Sequence, residues 1–388
     1  MQETKYISVG SPDTVNSPLS DEYGRRSDSF TRTLGRRVVA SLIPQSKGSI
    51  VVRWSQRTLA ITALVMLLAI ANEGWVMAAE TGVKSQILQD MSSLRMAPGF
   101  LELAMFKEQV IDFSYKVSIT YHSVFIAAMV FCLLMTWDGI MNSNIIQVIS
   151  VNFHNLGLFI YSLLQIIQLR KDNDLLGGPG FPAWFLASQI VLPCVLGIFL
   201  PTFAYLTFRT NSDFGWRIFK ITGGDKAMDK AFVFYHIFLL FLKFSLFFVL
   251  GFTIINVVLT PTSEAGKIMI PVALAVIGTV FPLIGYLGVR FENRTVTSLF
   301  IAGYTGLIGF VVYRTWEAFN RSNDSSNFNR AKIPFLMYAC VGVMLLFGAI
   351  ISGVLCWAQY DRGLKHVLDQ ERKRRSGDHV APEIDFEN

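Results

Sequence analysis

Five residues set within apolar sequence carry most of the chemistry open to this chain: Lys243, His236, His154, Asn152 and Glu73. A charge at the centre of a bilayer costs about 2.5 to 3.5 kcal/mol on insertion scales, so such residues face a protein interior or mark a pathway. Lys243 lies near the middle of an almost wholly apolar, phenylalanine-rich stretch, residues 231–259. His236 precedes it by seven residues and therefore shares its helical face about two turns away. One reading makes Lys243, His236 and His154 the lining of a polar cavity for an anionic head group, an ion or a small solute. Asn152, Glu73, Asn72, Asn155 and Gln189 are further inward-facing candidates. The plainer reading has Lys243 neutralised by a neighbouring helix, or partly snorkelling, and merely fixing the packing. Glu73 or Asp138 can serve as the partner only if folding brings it level with the lysine.

Signatures of catalysis are missing: there is no GxxxxGK[ST], GxSxG or HExxH, and no paired carboxylates in a loop. An intramembrane enzyme needs an acid and a base at one depth, and no such pair is legible. The four cysteines, Cys132, Cys194, Cys340 and Cys356, fall inside apolar runs without CxxC or metal-ligand spacing. A non-enzymatic protein without cofactor or metal is the expectation.

Composition requires a membrane around these residues. Of 388 residues, 52% are hydrophobic and 16% charged, and the 34 Lys and Arg against 28 Asp and Glu cluster in tails and short loops. That placement fits membrane topology better than a nucleic-acid partner. Eight apolar runs are long enough to span, near residues 57–78, 118–137, 144–168, 182–208, 231–259, 267–289, 295–316 and 333–358. Trp75, Trp137, Trp184, Trp316 and Trp357 sit near run ends, where amphipathic rings prefer the interface. Residues 290–294, Arg-Phe-Glu-Asn-Arg, place two arginines in a tight turn and divide the sixth run from the seventh.

An even number of spans puts both termini on one side. With that side cytoplasmic, the cytoplasmic segments hold better than twice the Lys and Arg of the opposite face. The fold class is therefore all-α: a polytopic transmembrane helix bundle of about eight spans with both termini cytoplasmic. Residues 1–56 read as a disordered cytoplasmic tail, 57–358 as the transmembrane domain, and 359–388 as a basic then acidic cytoplasmic tail.

Smaller features colour this outline. In the long lumenal connection, Leu103, Phe106, Val110 and Phe113 recur at helical spacing and predict an amphipathic helix near 98–113, either lying on the bilayer or forming a lid. Pro193, Pro201, Pro271 and Pro282 are expected to kink two spans. Gly303, Gly306 and Gly309, with Ala302, suggest close helix packing in the seventh span. Ser27, Ser29 and Ser376 stand in basophilic phosphorylation contexts. Beside Ser376, the run Arg372 to Arg375 would attract anionic lipid, so the bilayer is the partner the sequence names most directly.

Several blocks carry a resemblance: residues 214–220 (Phe-Gly-Trp-Arg-Ile-Phe-Lys), Tyr235-His236-Ile237-Phe238, Leu242-Lys243-Phe244 and residues 247–253 (Phe-Phe-Val-Leu-Gly-Phe-Thr). In their order and spacing the chain resembles a fungal family of uncharacterised multi-pass Golgi apparatus membrane proteins. The likeness continues through Ile270-Pro271 and Arg290-Phe291-Glu292, and covers mainly residues 118–360. It implies Golgi residence and a polytopic bundle, and no activity. That family typically shows Tyr-Gln-Ile at the position of His236 and Lys-Phe-Asp where this chain has Lys243-Phe244-Ser245. With serine at 245, the group neutralising Lys243 must come from another helix, lipid or ligand. A structural or trafficking role, a transporter or channel, and a receptor-like protein are the functions this architecture leaves open.

The topology has a direct check. Asn320 and Asn323 head sequons in a lumenal loop, whereas the sequon at Asn293 is cytoplasmic and close to the membrane. Glycan mapping on microsomes is expected to find no modification at Asn293; a glycan there reverses the topology.

Overall fold

Every backbone N–H and C=O that enters hydrocarbon must be satisfied internally, so apolar runs of this length can only become helices. The computed structural model describes residues 51–94, 101–142, 144–175, 183–222, 226–259, 264–321 and 328–360. The tail residues Ser27, Ser29, Ser376 and Arg372 to Arg375, together with Asn323, lie outside them. Among the described residues the helices are α1 (Val51–Leu94), α2 (Leu101–Met141), α3 (Ile145–Leu175), α4 (Ala183–Thr222), α5 (Lys226–Leu259), α6 (Glu264–Arg290), α7 (Arg294–Arg321) and α8 (Phe328–Trp357). All eight are long and apolar enough to cross a membrane. Trp137, Trp184 and Trp316 are exposed near the span ends, whereas Trp75, also exposed, lies well inside a first span that runs on to Gln86.

The helices form two four-membered rings. In the first, α1 packs on α2, α2 on α3, α3 on α4 and α4 back on α1; in the second, α5 to α8 close in the same way, with α5 against α8 the most extensive pairing. The core divides accordingly. One cluster fills the first ring and its boundary with α5 and α8, including Met129, Phe203 and Phe252, and the other centres on Phe238, Phe300, Tyr304 and Leu346. Contacts of α5 with α2, α3 and α4 join the rings.

The phenylalanines of α5 serve as packing surface in this arrangement. Phe238 meets Phe300 edge-on at 5.5 Å and Phe252 meets Phe335 at 5.3 Å. Phe241 fills the space that a Cβ on Gly348 would occupy. In α7, close packing holds only at Gly303, which lies under Phe281; Ala302, Gly306 and Gly309 are exposed. The spacing of small residues was legible, but one turn of the helix separates a packed face from a bilayer-facing one. Residues 101–113 are the opening turns of α2, continuous with its span, while the side chains of Leu103, Phe106 and Val110 fall outside the described set.

The second and third helices of each ring are joined at the same end of the bundle by matching turns. After α6, Glu292 adopts φ 53°, its N–H donates to Val289 O (3.2 Å), and the Asn293 N–H donates to Gly288 O (2.9 Å). This is a Schellman ending. The Asn293 side chain then accepts from the N–H groups of Thr295 (3.0 Å) and Val296 (3.3 Å), capping α7. After α2, the Asn144 N–H donates to Gly139 O (2.8 Å) and the Asn144 side chain accepts from Gln147 N (3.3 Å), capping α3. Both turns place a glycine five residues before a capping asparagine.

Gly288 permits a close approach to the backbone of α7. A Cβ there would stand 2.8 Å from Thr297 Oγ1 and 3.0 Å from the Thr297 backbone N. Gly288→Ala is expected to cost about 1–3 kcal/mol through overpacking. Thermal unfolding in detergent should show a lowered Tm, whereas Gly306→Ala, whose Cβ meets nothing within 4 Å, should leave Tm unchanged or raised.

Candidate functional site

Asp138 closes the last turn of α2, and the turn it begins lies against α5 at the level of Lys243. The Asp138 Oδ2 atom accepts from Lys243 Nζ at 2.5 Å and from Gln147 Nε2 at 2.8 Å, while Oδ1 accepts from Asn142 Nδ2 at 2.7 Å. Gln147 presents its Oε1 to the lysine at 3.1 Å and donates to Met135 O at 2.8 Å. His236 joins through Asn144, whose amide donates to the ring Nδ1 at 3.0 Å. The lysine is thus matched in charge and in hydrogen bonds by one turn.

Depth explains how this is possible. Lys243 lies thirteen residues into the span that begins at Lys230, about 20 Å along the helix, yet its partner is three residues from the end of α2 at Met141. Helix α5 runs past the α2–α3 turn, so the charge meets that turn. The side chains of Lys243 and Asp138 are 36% and 32% exposed, and solvent therefore screens part of their attraction. Ser245 has its own role: its hydroxyl donates to Leu242 O and pairs with the Tyr304 hydroxyl, both at 3.0 Å.

The remaining candidates do not converge on this network. Glu73, 1% exposed, accepts from His122 Nδ1 at 2.5 Å, and the other ring nitrogen of His122 stands 3.6 Å from Glu80. Lower on the same α1–α2 seam, Lys84 bonds to Asp112 at 2.7 Å and lies over the Tyr115 ring. Asn152 reaches α4, donating to Thr207 Oγ1 at 3.0 Å. His154 is packed by Phe131, Phe244 and Phe247, and its Nε2–H donates to Ala128 O at 3.1 Å. On the second ring, Arg314 is buried between Glu317 and the Asn256 carbonyl oxygen. Among the described residues no His, Cys, Asp or Glu cluster is arranged to hold a metal.

Where α2, α3, α5 and α8 meet, an open-sided cleft of about 370 Å³ runs between the two rings. His154 belongs to its wall; Lys243 does not.

Comparison with known proteins agrees with this architecture. Over 296 residues the chain is 23% identical to a UPF0658 Golgi apparatus membrane protein of Schizosaccharomyces pombe, covering 69% of this chain and 81% of that protein. The chain resembles that fungal family. Golgi membrane residence and multi-pass architecture, both expected from the sequence, are supported by this relative and by the eight spans. No family model matches the chain, and no solved structure matches it.

Of the groups that sequence reading passed over, His122 and Glu80 had a signal: Glu73 and Glu80 are seven apart and share a face of α1. Asn144 and Gln147 had one too, since an asparagine three residues before a glutamine at a helix start is a cap pattern. A double-mutant cycle measures the central pair. Lys243→Met and Asp138→Asn should each lower Tm, because each strands a half-buried partner, and the double variant should recover part of the loss. A coupling of roughly 1–2 kcal/mol is expected; additive losses rule out the pair as a stabilising lock.

Proposed function

We propose that the chain is a non-catalytic, structural or trafficking component of the Golgi membrane, with both tails in the cytoplasm, and not a conduit for a solute. The observation that carries this reading is the Lys243 network: Asp138 and Gln147 occupy the ammonium that a transported anion would need. Glu73 with His122 and Arg314 with Asn256 likewise spend bonds between helices. The basic run Arg372 to Arg375 then meets anionic lipid of the cytoplasmic leaflet, at about 1 kcal/mol per residue.

A transporter is the second reading, and one observation favours it. The two rings share a turn and an orientation, and repeated bundles with sites at the repeat interface are a transporter habit.

Flux measurements separate the two. Full-length protein in proteoliposomes should pass potassium, chloride and phosphate no faster than protein-free vesicles, and cells lacking the protein should missort Golgi-resident proteins. Flux above background that disappears in Lys243→Met would establish the transporter and end the structural reading.

A further inference from the structure

The cleft between the rings lies inside the spans, so hydrocarbon surrounds its mouth and its occupant must be lipid-soluble. Its walls are largely aromatic, with Phe241, Phe244, Phe247 and Phe248 of α5 facing Leu158 of α3. The polar exceptions are few. Ser150 donates its hydroxyl to Ile146 O at 2.8 Å, and His154 donates to Ala128 O.

Tyr161 and Tyr338 are different. They are 5% and 6% exposed, both line the cleft, and neither hydroxyl makes a hydrogen bond among the described residues. Other buried tyrosines of this bundle are bonded: Tyr304 to Ser245 and Tyr360 to Thr297. A phenol that opens into an apolar cleft without a partner is costly, and two lining the same cleft make a ready site for one ligand hydroxyl. Tyr161 lies six residues from the end of its span at Ile167, and Tyr338 three from the start of its span at Phe335. Both therefore sit toward the same membrane interface, where the hydroxyl of an otherwise apolar lipid resides.

Length and shape narrow the class. From Ser150 to Tyr161 the cleft follows eleven residues of α3, about 16 Å. Charged or ester-bearing head groups find no partners along it, whereas a rigid hydrocarbon body fits its aromatic walls. At Gly157 the wall is bare: a Cβ there would meet nothing within 4 Å. We propose that this cleft binds a sterol, with the sterol hydroxyl held by Tyr161 and Tyr338 and the ring system lying over Gly157.

A photoreactive sterol tests this on full-length protein in nanodiscs, with a photoreactive phosphatidylcholine as the comparison. The sterol should label residues of α3, α5 and α8 saturably, and unlabelled sterol should compete. Gly157→Phe, whose Cβ meets no protein atom within 4 Å and whose ring would occupy the groove, should reduce labelling at least tenfold. The Tyr161→Phe, Tyr338→Phe double variant should weaken sterol affinity about five- to tenfold at unchanged Tm, and it carries the test if the Gly157 variant fails to fold. Equal, competing labelling by the phosphatidylcholine makes the cleft an acyl-chain site and overturns the proposal. So does sterol labelling that never saturates, or that both variants leave intact.

Discussion

The ion pair between Lys243 and Asp138 is the constraint around which this bundle is arranged. Helix α5 is the member of the second ring that touches the first most broadly, and its lysine sits half-buried within an otherwise apolar stretch of that helix. A positive charge there favours the register that brings it level with a carboxylate of α2 and an amide of α3, Asp138 and Gln147. Asp138 is held in turn by Gln147 and Asn142, and Asn144 reaches His236 one or two turns away. The seam between the rings is thus aligned by a few polar bonds and then filled by phenylalanine. Hydrophobic packing alone distinguishes registers weakly inside lipid, where the surroundings are as apolar as the side chains.

Helix number and kind were legible because a bilayer leaves so few options. A run of apolar residues closed by tryptophan or arginine has one structural solution, and even the division at residues 290–294 could be read from charge. The ring arrangement was not legible, since hydropathy records that a face is apolar and not which helix covers it. The same limit explains the candidate residues. Lys243 stood out by its isolation, but its depth depended on where α2 ends, a property of another helix. Glu73 looked like a partner for Lys243 and instead meets His122, which lies 49 positions along the chain. The glycines of α7 show the reverse case: their spacing was visible, yet two of the three face outward.

The buried polar groups divide by what they hold together. Glu73 and His122 fix α1 to α2, Asn152 and Thr207 fix α3 to α4, and Arg314 and Asn256 fix α7 to α5. None of these bonds could form in a chain that merely collapsed, so each contributes specificity beyond its own energy. Ser245 belongs with them: it bonds Tyr304, while Lys243 takes its counter-charge from the other ring.

The paired turns have a further meaning. Gly139 with Asn144 and Gly288 with Asn293 reverse the chain in the same manner at equivalent places in two rings of four helices. Four crossings return a chain to the side from which it set out, so a second ring copied from the first enters the membrane already facing the correct way. Such a module can be doubled without any inversion of its orientation signals. What the doubling creates is a junction that neither ring possesses alone, and both the ion pair and the cleft lie on it.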